Sequence, residues 1–84
     1  MKVVINTCYG GFNLSDKAMD ILGIYPWDIE RNDPNLVKVV ESLGEEANGH
    51  FSRLKVVEIP DDIEWFIDDY DGVETIHEKH RIWS

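Results

Sequence analysis

Residues 63–80, Ile63-Glu64-Trp65-Phe66-Ile67-Asp68-Asp69-Tyr70-Asp71-Gly72-Val73-Glu74-Thr75-Ile76-His77-Glu78-Lys79-His80, are the stretch on which the fold turns. Two runs of β-compatible residues, Ile63 to Tyr70 and Val73 to about His80, flank Asp71-Gly72. A two-residue Asp-Gly between such runs is a strong hairpin signal. Immediately upstream, Leu54 to Ile59 reads as another strand, halted by Pro60. The second half of the chain is therefore strand-rich.

The first half supplies the helices. Lys2 to Cys8 reads as a strand, with β-branched Val3, Val4, Ile5 and Thr7. Its consecutive apolar residues suggest burial on both faces and a central position. Gly10-Gly11 breaks the pattern, and Ser15 then caps a short helix whose inner face is Ala18, Ile21 and Leu22 and which Gly23 ends. Tyr25 to Asn32 is a loop or irregular strand. Asp33-Pro34 is a helix start, an N-cap followed by proline at the first helical position. Leu36, Val37, Val40, Leu43 and Ala47 share one face of that helix, and Asn48-Gly49 stops it. The expected fold is α+β in the order β-α-α-β-β-β, a small, mostly antiparallel sheet with two helices on one face.

Composition bounds the rest. With 84 residues the chain reads as a single domain, 1–84. A domain of this length buries only about 60% of its unfolded-chain surface, which makes a homodimer an expectation. One cysteine excludes an internal disulfide, and the apolar run Val3-Val4-Ile5 is too short for a signal peptide or membrane span. A cytoplasmic protein is expected. The net charge of −9 argues against nucleic acid or an anionic membrane as partner. From Lys55 to Lys79 there are nine acids, Glu58, Asp61, Asp62, Glu64, Asp68, Asp69, Asp71, Glu74 and Glu78, and no Lys or Arg between those two lysines. That stretch is either a solvated sheet face or an electronegative surface for a basic partner.

Several residues could carry chemistry, each with a plainer alternative. Gly10-Gly11, between the first strand and the first helix, would let backbone N–H groups approach a phosphate, or it is a turn that needs positive φ. The stretch matches neither GxGxxG nor GxxxxGK[ST]. Phe12 and Leu14 read as core, and Tyr9 as core or as a platform for a base. Arg31 and Arg81 would each hold a planar anion in a bidentate pair, or else form an internal ion pair. Arg31 with the glycine loop would make a diphosphate clamp. Cys8, His77 and His80 could form a nucleophilic pair or a zinc site, but Cys8 after a buried strand also reads as an inert core residue. The spacing of His77 and His80 sends them to opposite faces of a strand. Tyr70, Trp83, Trp65 and Trp27 are aromatic candidates for stacking on a nucleobase. Glu74 and Asp71 would accept from ribose hydroxyls or belong to the solvated hairpin. No triad, HExxH or EF-hand pattern is present, so no catalytic or metal-ligating residue is assigned and no cofactor is expected.

Three stretches together carry a resemblance: Asn6-Thr7-Cys8-Tyr9-Gly10-Gly11-Phe12-Asn13-Leu14-Ser15, Arg31-Asn32-Asp33-Pro34, and Tyr70-Asp71-Gly72-Val73-Glu74 followed by His77, His80, Arg81 and Trp83. The chain resembles a family of short acidic proteins encoded by tailed bacteriophages, over nearly its whole length. The resemblance implies a small non-structural phage protein acting in the host cytoplasm, a setting in which many proteins counter host defences. Two non-enzymatic functions fit this context. The one expected first is a sponge that sequesters a nucleotide-derived immune signal, such as an ADP-ribose conjugate or cyclic nucleotide. The other is an inhibitor that binds a host defence protein through the acidic stretch, in the manner of a DNA mimic. A hydrolase of the same signal lacks a recognisable catalytic set.

Overall fold

The computed structural model describes residues 1–23 and 28–79. Along the chain lie β1 (Lys2–Asn6), α1 (Asp16–Leu22), α2 (Pro34–Leu43), β2 (Leu54–Glu58), β3 (Trp65–Tyr70) and β4 (Val73–Glu78), with a 3-10 turn at Gly44–Ala47 after α2. The class is α+β and the order is β-α-α-β-β-β. No helix among the described residues is long and apolar enough to cross a membrane.

Local chemistry accounts for most element ends. Asp71 and Gly72 have φ of 52° and 92°, the two positive values that a type I′ turn requires, and Tyr70 faces Val73 across it. The Asp69 carboxylate accepts the Gly72 N–H at 2.8 Å and fixes the turn further. Ser15 caps α1 by accepting the Ala18 N–H, and Gly23 closes the helix in the left-handed region. Asp33 caps α2 by accepting from the Asn35 and Leu36 amides, with Pro34 in the first turn. The sequence reading carries α2 on to Ala47, but α-helical geometry stops at Leu43. Gly44 takes φ of 58°, which breaks the ladder, and the next turn tightens into 3-10 form. Ala47 is buried all the same.

The core lies between the helices and one face of β1–β2. Leu36, Val37 and Val40 of α2 pack with Ala18, Leu14, Ala47 and Val4, and Leu54, Val56 and Phe12 close around them. β1 and β2 are antiparallel, with Val4 opposite Val56 and Val3 opposite Val57. Strand alternation sends Val3 and Ile5 to the face away from Val4, and they too are buried, so β1 is covered on both faces.

The four strands do not join into the one sheet that the sequence reading expects. β1 pairs only with β2, and β3 only with β4, in two antiparallel ribbons. The reason is visible at the second edge of β1. Bonds from Thr7 N–H to Arg53 C=O and from Ile59 N–H to Met1 C=O bracket the β1–β2 ladder. Alternation then aims the odd residues of β1 at β2 and the amides of Val4 and Asn6 at the other edge. There the Val4 N–H donates to the Arg31 carbonyl at 2.8 Å, and the Asn6 N–H donates to Glu74 Oε1 at 2.8 Å. The chain leading into α2 and one side chain of β4 thus take the places of a neighbouring strand.

Candidate functional site

Glu74 is the most deeply placed charge of the described chain, 4% exposed. Burying a carboxylate is costly unless opposite charge and donors surround it. Arg31 supplies both: Nη1 donates to Oε1 at 2.5 Å and Nη2 to Oε2 at 2.8 Å, a bidentate pair. The Arg31 side chain is itself only 22% exposed. Its guanidinium lies over the Phe12 ring, 3.5 Å from the centroid, and Nη1 also approaches the Val4 carbonyl at 3.4 Å. Of the two readings of Arg31, the structure therefore shows the internal ion pair. Its two terminal nitrogens are spent on Glu74, and one face of the plane on Phe12.

Asn6 is the second organising residue, fully buried at the end of β1. Its Nδ2 donates to the carbonyls of Cys8 and Gly72, and its Oδ1 accepts from the Arg53 amide. One side chain thus ties the end of β1, the start of β2 and the β3–β4 turn together. The turn docks onto the glycine loop: the Gly10 N–H points at the Asp71 carbonyl at 3.4 Å. A Cβ on Gly72 would stand 2.7 Å from the Gly10 nitrogen. Gly10 and Gly11, at φ of 130° and 102°, thus serve the turn reading: they let the hairpin's backbone come against theirs. A Cβ on Gly10 would meet the Phe51 backbone in the same way.

Around this junction the aromatic residues face outward. Tyr9, Phe51 and Tyr70 are 71%, 69% and 73% exposed. Each sits within two residues of the contacts just described, on three different segments. His50 packs edge-on against Phe51, with ring centroids 4.6 Å apart. Cys8 Sγ donates to the Phe51 carbonyl at 3.2 Å, and no His, Asp or Glu cluster suited to a metal ion exists among the described residues. Three surface cavities formed by described residues, of about 450 to 560 Å³, lie against α2 and beside α1. Tyr9, Gly10, Gly11, Arg31, Tyr70 and Glu74 line none of these three.

The β3–β4 ribbon carries the other exposed chemistry. Phe66, Asp68 and Tyr70 alternate on one face opposite His77, Thr75 and Val73, while Trp65, Ile67 and Ile76 are half-buried on the other. The His77 ring stacks on Phe66, centroids 5.4 Å apart at 19°, with Thr75 Oγ1 2.9 Å from Nε2 and Asp68 Oδ2 at 3.9 Å. Of the nine acids between Lys55 and Lys79, all but Glu74 are exposed. Asp61 also takes the charged N-terminal amine of Met1. His80, Arg81, Trp83 and Trp27 lie outside the described residues.

The structure thus brings Cys8, Tyr9, Gly10, Gly11, Phe12, Arg31, Tyr70 and Glu74 to one junction, with His77 further along the ribbon. Sequence reasoning missed Asn6, Phe51 and Phe66. Asn6 left a readable signal, an amide ending an otherwise apolar strand, where a buried polar group must find partners. Phe51 left none. The chain matches no family model, no curated protein and no solved structure.

Proposed function

We propose that the chain is a non-catalytic binding protein whose acidic β3–β4 ribbon docks on a basic surface of a partner protein. The observation that carries this reading is the outward face and rim of the ribbon. Five exposed carboxylates, Glu64, Asp68, Asp69, Asp71 and Glu78, lie along the ribbon, its turn and its open end together with exposed Phe66 and Tyr70, and there is no Lys or Arg from residue 56 to residue 78. Aromatic side chains held outward on a sheet are the residues that anchor protein interfaces, and a one-signed field selects a partner of the opposite sign. In the phage setting that the resemblance suggests, the partner is a host defence protein and the outcome is inhibition.

Sequestration of a nucleotide-derived signal is the second reading, and the rim of Tyr9, Phe51 and Tyr70 favours it, since exposed rings can stack on a base. Against it stands Arg31, whose guanidinium is already paired with Glu74. A ligand held at the rim would depend on stacking and on backbone donors rather than on an arginine clamp.

One pair of experiments separates the two. The tagged protein is used to capture host proteins at low and at high salt, and its thermal unfolding is followed with ADP-ribose conjugates and cyclic nucleotides. Docking through the ribbon predicts a captured basic protein that is lost at high salt, because exposed charges are screened beyond about 8–10 Å. It also predicts no thermal shift with the nucleotides. A ligand at 100 times its Kd would instead add about 2.7 kcal/mol, visible as a shift of several degrees. Such a shift, with no salt-sensitive capture, overturns the docking reading.

A further inference from the structure

We infer that the outer edge of β3 is a strand-pairing site for an extended, basic segment of the partner protein. This deepens the docking reading and rests on it. The Lys79 N–H donates to the Glu64 carbonyl at 2.8 Å, so the residues of that parity make the β3–β4 ladder. The N–H and C=O groups of Trp65, Ile67 and Asp69 then point away from β4, along an edge no described strand occupies. Free edges invite pairing with another chain unless something blunts them.

Charge decides what the edge accepts. Antiparallel pairing of two β3 edges centred on Asp68 would set that acid against its own copy, and like charges directly opposite are destabilising. Every other register still brings two acidic ribbons side by side, so the edge favours a basic strand over a second copy of this chain. A strand with lysine or arginine at alternate positions meets Asp68 on the outward face, with Phe66 and Tyr70 two residues to either side to cover its aliphatic stems. The outer edge of β2 is less suited: Asn48 Oδ1 already takes the Leu54 N–H, and Arg53 and Lys55 flank it with positive charge. The geometry is that of β-strand addition, in which main-chain bonds give affinity and alternate side chains give selectivity.

The test uses a fluorescein-labelled ten-residue peptide of alternating Lys and Val, and a second of alternating Lys and Pro with the same charge. Proline removes every second donor and cannot continue a ladder. Binding is read by anisotropy, and amide exchange is followed residue by residue by NMR. The expected result is at least tenfold tighter binding of the Lys-Val peptide, with slowed exchange at Trp65, Ile67 and Asp69 only. Asp68→Lys should lose that binding at least tenfold; the Asp68 side chain is 65% exposed, so the fold survives. Equal binding of both peptides without protection overturns strand pairing and leaves the acidic face standing. Protection at Val56 and Glu58 instead assigns the edge to β2 and overturns the inference. Failure of both peptides to bind overturns strand pairing, and salt-sensitive capture then decides whether the acidic face falls with it.

Discussion

Replacing Arg31 by methionine tests whether this arginine is a structural member. The Glu74 carboxylate, 4% exposed, has three donors among the described residues: Arg31 Nη1, Arg31 Nη2 and the Asn6 amide. Arg31→Met removes two of them and the one balancing charge among the described residues, while keeping most of the stem that lies on Phe12. Breaking a buried pair in this way costs about 3–5 kcal/mol. A chain of this length is stable by roughly 4–13 kcal/mol in all. The variant should therefore melt at least about 12 °C lower, taking about 4–8 °C per kcal/mol for a domain this small. Urea unfolding followed by tryptophan fluorescence measures the loss directly. The sharper test is the sign of a second substitution. Glu74→Gln destabilises the wild-type protein, because it removes the pair, but stabilises Arg31→Met, because it removes the stranded charge. If Arg31→Met lies within about 0.5 kcal/mol of wild type, the level of an ordinary surface change, or if Glu74→Gln acts alike in both backgrounds, the staple argument is refuted. An arginine kept for a ligand would give that contrary result.

Four further outcomes follow from the geometry. Gly72→Ala combines φ of 92° with a Cβ crowded against the Gly10 backbone, and strain of this kind costs about 1–3 kcal/mol before the crowding is added; denaturant unfolding reads it, and a neutral result would mean the hairpin turn does not rest on the glycine loop. Tyr9→Ala, Phe51→Ala and Tyr70→Ala should each change stability by less than about 0.5 kcal/mol, as exposed positions do, and a larger loss in a thermal melt would show that these rings pack rather than bind. Asp33→Ala should cost about 1 kcal/mol by freeing the Asn35 and Leu36 amides, measured by urea unfolding against Asp33→Ser, which keeps a cap. The Lys2 amine, hydrogen-bonded by Glu41 and attracted by its charge, should titrate above the ordinary 10.5 in a carbon-detected NMR titration. Since the folded value is the raised one, its small contribution is complete below the unfolded value and fades as pH rises through the folded one; Glu41→Gln should return the amine to its usual range.

Much of the fold is legible because local rules and tertiary demand agree. Asp71-Gly72 makes its turn from its own torsions, Ser15 and Asp33-Pro34 start helices with their own side chains, and Gly23 ends one with its own φ. The apolar run of β1 gives its burial on both faces. Where α2 overruns at the sequence level, the spacing of Leu43 and Ala47 continues a helical face while Gly44 supplies the break, and periodicity alone does not weigh one against the other.

The site was only half legible. Three of its segments were marked, Gly10-Gly11, Arg31 and Tyr70 to Glu74, but the one carrying Phe51 was not, nor was their relation. Whether Arg31 waits for an anion or is already neutralised depends on one carboxylate 43 residues away. The chain has seventeen carboxylates to choose from. The sheet breaks for the same kind of reason. Strand propensity makes four strands, but the partner of each free edge is set by which distant groups reach it first. The sequence by itself determined the elements, their order and the sign of the surface, since these follow from torsional preference, spacing and charge count. Only the tertiary structure decided the split into two ribbons, the burial of Glu74 under Arg31 and the open edge of β3, because hydrogen bonds between residues far apart in the chain are satisfied by geometry that no local pattern encodes.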